Sequence, residues 1–327
     1  MLAHTCCRAC SIQKISGLVA LGVYVLLLMV GCGGTPKNQD QDPPRLAEAK
    51  LLASQGSYWF QRGCFEKAER YFYEALEASQ LVDNLEEMVR VHNNLGAVAL
   101  AQDHYVESAE HLQQALELNR LLKSTREESL TLGNLGSLAY KAGRYDEAEE
   151  LWEKALTVAK KDSRKTGLAV HLNSLGMLKR EQGRLDEAES LLQKGLHAAK
   201  QTKGPTLANS HMQLGLVAQA RGDFADAEKQ LRKALEIDKD AENPIGIAQD
   251  LEKIGLLHQT QQSWEQAALE FDRAIRLYAN LGDMDKVQYI YELLEVNQTE
   301  GGVPESLEPY KPLLVFPHEF WESPVCR

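Results

Sequence analysis

Residues 93–105 read Asn93-Asn94-Leu95-Gly96-Ala97-Val98-Ala99-Leu100-Ala101-Gln102-Asp103-His104-Tyr105, and the rest of the chain returns to this pattern repeatedly. Aliphatic-Gly pairs recur at Leu135-Gly136, Leu175-Gly176, Leu214-Gly215 and Ile254-Gly255, with glycine intervals of 40, 40, 39 and 40 residues. Forty residues before Gly96 stands Gly56, with Gln55 in the aliphatic position. A fixed period in this range marks a stacked repeat array, an architecture that builds extended binding surfaces.

A second mark lies seven residues after each glycine: Gly63-Cys64-Phe65, Asp103-His104-Tyr105, Gly143-Arg144-Tyr145, Gly183-Arg184-Leu185, Gly222-Asp223-Phe224 and Gln262-Ser263-Trp264. A small or polar residue followed two places on by a large apolar one reads as a helix C-cap and then a packing residue. In the run from Asp146 to Leu156, the apolar residues Ala148, Leu151, Trp152, Ala155 and Leu156 share one helix face. Each unit is therefore two helices joined by a tight turn. Small residues fill two columns on the second helices. They are Ala68, Ser108, Ala148, Ala188, Ala227 and Ala267, then Ala75, Ala115, Ala155, Gly195, Ala234 and Ala274. Larger side chains there would force the paired helices apart.

These residues resemble the tetratricopeptide repeat, whose pattern is an aliphatic-Gly pair, a Gly-x-aromatic turn and small residues on the second helix. Six units match in phase. The resemblance implies an all-α, right-handed superhelical solenoid. The period is near 40 and no proline closes each unit, as in the longer repeats of kinesin light chain, which places the extra residues in the second helices. The expected units run near 50–88, 89–128, 129–168, 169–207, 208–247 and 248–282, with a capping helix at 285–296, so that the array occupies 45–296.

Residues 1–31 differ in kind. Arg8 and Lys14 precede an apolar run from Leu18 to Val30, too short to cross a bilayer but suited to a secretory signal. Met29-Val30-Gly31-Cys32 looks like a bacterial lipobox. The resemblance implies cleavage before Cys32 and a lipid on its thiol, and Gly33, where an aspartate would favour the inner membrane, implies outer-membrane sorting facing the periplasm. An uncleaved signal anchor is the alternative. Residues 32–44 then form a flexible tether, rich in Gly, Pro and Asp. Beyond the leader and Cys32 only Cys64 and Cys326 remain. They either pair, which requires the tail to run back along the whole stack, or stay free thiols. The tail, 297–327, holds five of the ten prolines and packs either on its own last helix or on a partner.

The formal charge is −11, and without the leader 34 bases face 47 acids. No basic block serves nucleic acid. No catalytic motif, metal-ligand spacing or cofactor-binding loop is present, so the reading is non-enzymatic. Cys6-Cys7-x-x-Cys10 lacks matching ligands, and His92 and His171, nearly two repeats apart, read as groove or packing residues. In the resembled family the positions before each glycine face a concave groove, where asparagine amides hold a peptide backbone. That carries over to Asn94 and Asn134, with Asn93 beside them and Asn173 one place off. In the same register Arg90, Tyr140, Lys141 and Arg180 line the groove. Its competing reading is that Asn94 and Asn134 bond the neighbouring repeat. The asparagines fade at Gln213 and Lys253, which points to the N-terminal half. The expected function is a membrane-anchored adaptor for unknown protein partners, among envelope assembly or secretion components. The alternative is a self-associating structural lipoprotein.

Overall fold

The structure, a computed structural model, describes residues 42–162, 167–200, 204–302, 307–314 and 326. The leader, Cys32 and nearly all of the tether lie outside the described residues. Six helix pairs follow one another: α1 (Pro44–Gln61) with α2 (Phe65–Gln80), α3 (Leu85–Ala101) with α4 (Tyr105–Leu122), and α5 (Thr125–Lys141) with α6 (Tyr145–Ala159). Then come α7 (Leu168–Glu181) with α8 (Leu185–Ala199), α9 (Pro205–Ala220) with α10 (Phe224–Asp240), and α11 (Pro244–Thr260) with α12 (Trp264–Leu281). A single helix, α13 (Met284–Gly301), covers the end, and the short α14 (Lys311–Leu314) follows it. The fold is all-α, a right-handed superhelical solenoid. Among the described residues no helix is long and apolar enough to cross a membrane.

The extra length of each unit is not confined to the second helix. First helices run 14 to 18 residues and second helices 15 to 18, so both have lengthened. Local chemistry sets the boundaries. Asn84 and Ser124 accept from the amides of Glu87 and Glu127 at helix starts, and Pro205 and Pro244 open α9 and α11. Each first helix ends on a left-handed residue, with φ of 74° at Gly143 and Gly183 and 58° at Asp103. Glycine has no Cβ clash there, and aspartate tolerates the conformation.

The Leu-Gly rhythm has a steric origin. Sixteen residues after each glycine stands a large side chain of the second helix: Phe72, Leu112, Trp152, Leu192, Leu231 and Phe271. A Cβ added at Gly56, Gly96, Gly136, Gly176, Gly215 or Gly255 would stand 2.5 to 2.9 Å from it. Each glycine is thus the socket for a buried knob, and the alanine columns bring the backbones close enough for the knob to reach.

Successive first helices touch one another, whereas successive second helices do not make comparable contact. The first helices therefore crowd the inner, concave side and the stack curves. By the sixth repeat the curve has come back to the first. Arg62 pairs with Glu242 at 3.0 Å, and Gly63 packs against Leu281 and Ile245. Cys64 and Cys326 form a disulfide, their Cα atoms 5.4 Å apart. Sequence reasoning placed these cysteines at opposite ends of a stack; curvature removes that separation. The described part of the tail packs on its own solenoid. Tyr310 is buried with its hydroxyl on Asp272 at 2.8 Å, and Leu307, Leu313 and Leu314 join the last core cluster.

Candidate binding groove

Three places before their motif glycines, Asn93 and Asn173 turn inward. Asn173 is 3% exposed, donates to Ser210 Oγ at 2.8 Å and accepts from it at 3.1 Å. Its oxygen occupies the space that a Cβ would take at Gly195, which explains glycine in an otherwise alanine column. Asn93 is 4% exposed, and neither amide atom meets a partner among the described residues. Asn93 and Asn173 therefore belong to the junctions between helices and do not line the groove. Two places before the glycine, Asn94 and Asn134 are half-buried. Asn134 Nδ2 donates to the Asn93 carbonyl at 3.3 Å, the neighbouring-repeat bond that competed with ligand contact.

The remaining expected groove residues are spread over three separate places. Arg90 lies among acids, 3.3 Å from Glu86 and 3.2 Å from the buried Glu87. Burial pushes the Glu127 carboxyl upward against the pull of Arg126 and Arg90. Lys141 pairs with Asp103 at 3.3 Å. Tyr140 donates to Glu181 at 2.7 Å, and burial followed by that carboxylate raises its hydroxyl well above the ordinary range. Glu181 in turn lies 3.4 Å from Arg180, which links Tyr140 to Arg180. His171, which sits over Gly133, accepts or donates at Ser129 Oγ, 2.9 Å away, and burial alone lowers it to about 4.

Two cavities open on the first helices. One, of about 620 Å³, spans the fourth to sixth repeats between Met177, Arg180, Met212, Gln213, Leu216, Phe224, Lys253 and Leu256. Its wall holds two cations and no carboxylate. Gln213 is 5% exposed, with an Oε1 that meets no partner among the described residues. The other, of about 1060 Å³, lies at the seam, with Phe60, Gly63 and Phe65 on one wall and Ile245, Leu281 and Met284 on the other. Beside it Glu252 accepts from Lys253, Tyr278 and Lys286 at 2.7 to 3.0 Å. Burial pushes that carboxyl up, yet the two ammonium groups outweigh it and hold it low.

The sequence pointed to the N-terminal half, and the cavities lie mainly in the other. Gln213 and Lys253 occupy the same position relative to the glycine as Asn94 and Asn134. The column thus continues into that half with a longer amide and an ammonium in place of asparagine.

A family model described as the MalT-like TPR region matches residues 49–294. No curated protein matches the chain in sequence. Among solved structures it is similar to a Rap protein complexed with competence and sporulation factor, at 16% identity and TM-score 0.61, covering 74% of this chain and 67% of that one. It is also similar to the apo quorum sensor NprR from B. thuringiensis, at 16% identity and TM-score 0.58, covering 83% and 76%. These likenesses are of fold. The match over most of the array, with the six socketed helix pairs, makes this chain a member of the MalT-like TPR region family.

Proposed function

We propose that the protein is a non-enzymatic scaffold that holds a segment of a partner protein on its concave face, tethered to a bacterial envelope membrane through a lipid on Cys32. The observation that carries the binding role is the pocket around Gln213. In a chain with 47 acids and 36 bases, its wall contains Arg180 and Lys253 and no acid. Gln213 lines the same wall and brings an amide, a group that can both donate and accept hydrogen bonds. Met177 and Met212 offer a soft, adaptable apolar surface. The three features together fit an extended segment with an apolar side chain next to a carboxylate. A Rap protein of the same fold is known in complex with competence and sporulation factor, which supports a partner-binding role.

The membrane tether rests on the leader and lipobox-like residues, and it would raise the local concentration of whatever the groove holds. Envelope assembly and secretion components are the partner class that this placement favours. Photocrosslinking in native envelopes tests the reading, with the crosslinker at Met212 or at the exposed Leu121 on a second helix. A partner should crosslink from Met212 and be missing from Leu121; the reverse pattern sinks the concave-face assignment. Cys32→Ser should release the protein from membranes, and continued attachment would replace the lipid with an uncleaved anchor.

A further inference from the structure

The disulfide joins parts of the chain that are also held together without it. Cys64 follows the turn that ends α1 and is the N-cap of α2. The same turn supplies Arg62 to Glu242 and Gly63 to Leu281 and Ile245. The chain runs from α14, packed on the last repeats, to Cys326, bonded to the first. Lys67 adds a further contact, donating to the Cys326 carbonyl at 3.2 Å while its ammonium sits 3.6 Å over the Trp59 ring. The disulfide thus lies on the same turn as the seam contacts, and the seam cavity has walls from the first repeat and from the last ones.

The two sulfurs are not equivalent. Cys64 is 3% exposed and Cys326 is more open, so an incoming thiolate meets Cys326 first. The sulfur expelled is then that of Cys64, at the N-terminus of α2. The helix dipole and the free N–H groups of a first turn favour negative charge there, against the single acid Glu66 in that turn. A stabilised leaving thiolate is the property that makes a disulfide exchange readily.

We propose that Cys64–Cys326 is a thiol-exchange site whose substrate is a dithiol, and that its opening unlatches the first repeat from the last. A thiolate of the dithiol attacks Cys326 Sγ, a mixed disulfide forms, and the bond to Cys64 breaks with the electron pair leaving on Cys64 Sγ. The second thiol of the reagent then displaces Cys326. The dithiol ends as a disulfide, and Cys64 and Cys326 end as thiols after protonation. The oxidised chain keeps the seam cavity assembled; the reduced chain can separate its walls. This is independent of the pocket around Gln213, which lies within the fourth to sixth repeats.

The test uses the full chain isolated without reductant. Alkylation and peptide mass mapping should recover Cys64 and Cys326 as one linked pair; two free thiols would overturn the proposal. Brief treatment with glutathione should place the adduct on Cys326, and an adduct on Cys64 would overturn the direction of attack. Dithiothreitol should raise amide exchange at residues 243–249 and 278–284 roughly tenfold, while helical circular dichroism stays constant. Unchanged protection at those residues would mean that the bond holds only the tail, and the latch would be lost. Cys64→Ser should reproduce the reduced pattern, and the dithiothreitol measurement stands on the unaltered chain if that variant folds poorly.

Discussion

Two amides, Asn173 and Gln213, stand on neighbouring first helices, both almost fully buried, and serve different ends. Asn173 is saturated: its nitrogen and oxygen both engage Ser210, and Gly195 has given up a side chain to admit it. Gln213, one column over, keeps an oxygen without a partner among the described residues and faces a cavity walled by methionines and cations. The difference teaches that burial of a polar group does not reveal its role. What separates these two is their surroundings: Asn173 is locked between helices by Ser210, whereas Gln213 lines a cavity. An unmet acceptor costs folding free energy, and Asn93 carries the same cost inside a junction, so the cost alone does not mark a groove.

The largest effect expected is at the framework that both amides depend on. Trp152→Ala should cost about 3–5 kcal/mol in chemical denaturation, because a fully buried knob leaves its socket at Gly136 empty. A loss near zero would mean that the glycine sockets do not hold the helix pairs, and the comparison would lose its frame. Next, Asn173→Ala should destabilise by about 1–3 kcal/mol, since Ser210 loses its partner inside the stack, with partner capture unchanged. Gln213→Leu should do the opposite, keeping stability or raising it by about 1–3 kcal/mol as an unmet buried acceptor is removed, and weakening capture in the crosslinking assay. If the two variants behave alike, the distinction between spent and open amides fails.

Slopes with pH come last, and two buried groups give them opposite sign. Burial depresses His171 from 6.5 to about 4, so acidification across that window protonates the unfolded chain first and removes stability. Burial, then the Asp238 charge, raises Asp250 from 3.8 to about 8, so the folded chain holds the extra proton and stability falls as pH rises through that window. Thermal unfolding between pH 4 and 8 should show both slopes. His171→Gln should flatten the acid side and Asp250→Asn the alkaline side. A slope untouched by its own variant would remove that residue from the account.

Much of the fold was readable because socket, knob and alanine positions recur at fixed offsets, and steric exclusion is a local rule that sequence spacing records. The groove was less readable. Neighbouring positions on a helix point about 100° apart, so Asn93 and Asn94 look alike in sequence and face different surroundings. Asn134 shows a second limit: its partner is a backbone carbonyl, which no side-chain pattern can display.

Period, pairing and the sites of close helix approach followed from the sequence alone, since each depends on contacts within one unit or between adjacent units. The curvature of the stack did not. Small differences between crowded first helices and splayed second helices accumulate over six units until Gly63 meets Leu281. Only the tertiary structure sums them, and that sum brings Cys64 to Cys326.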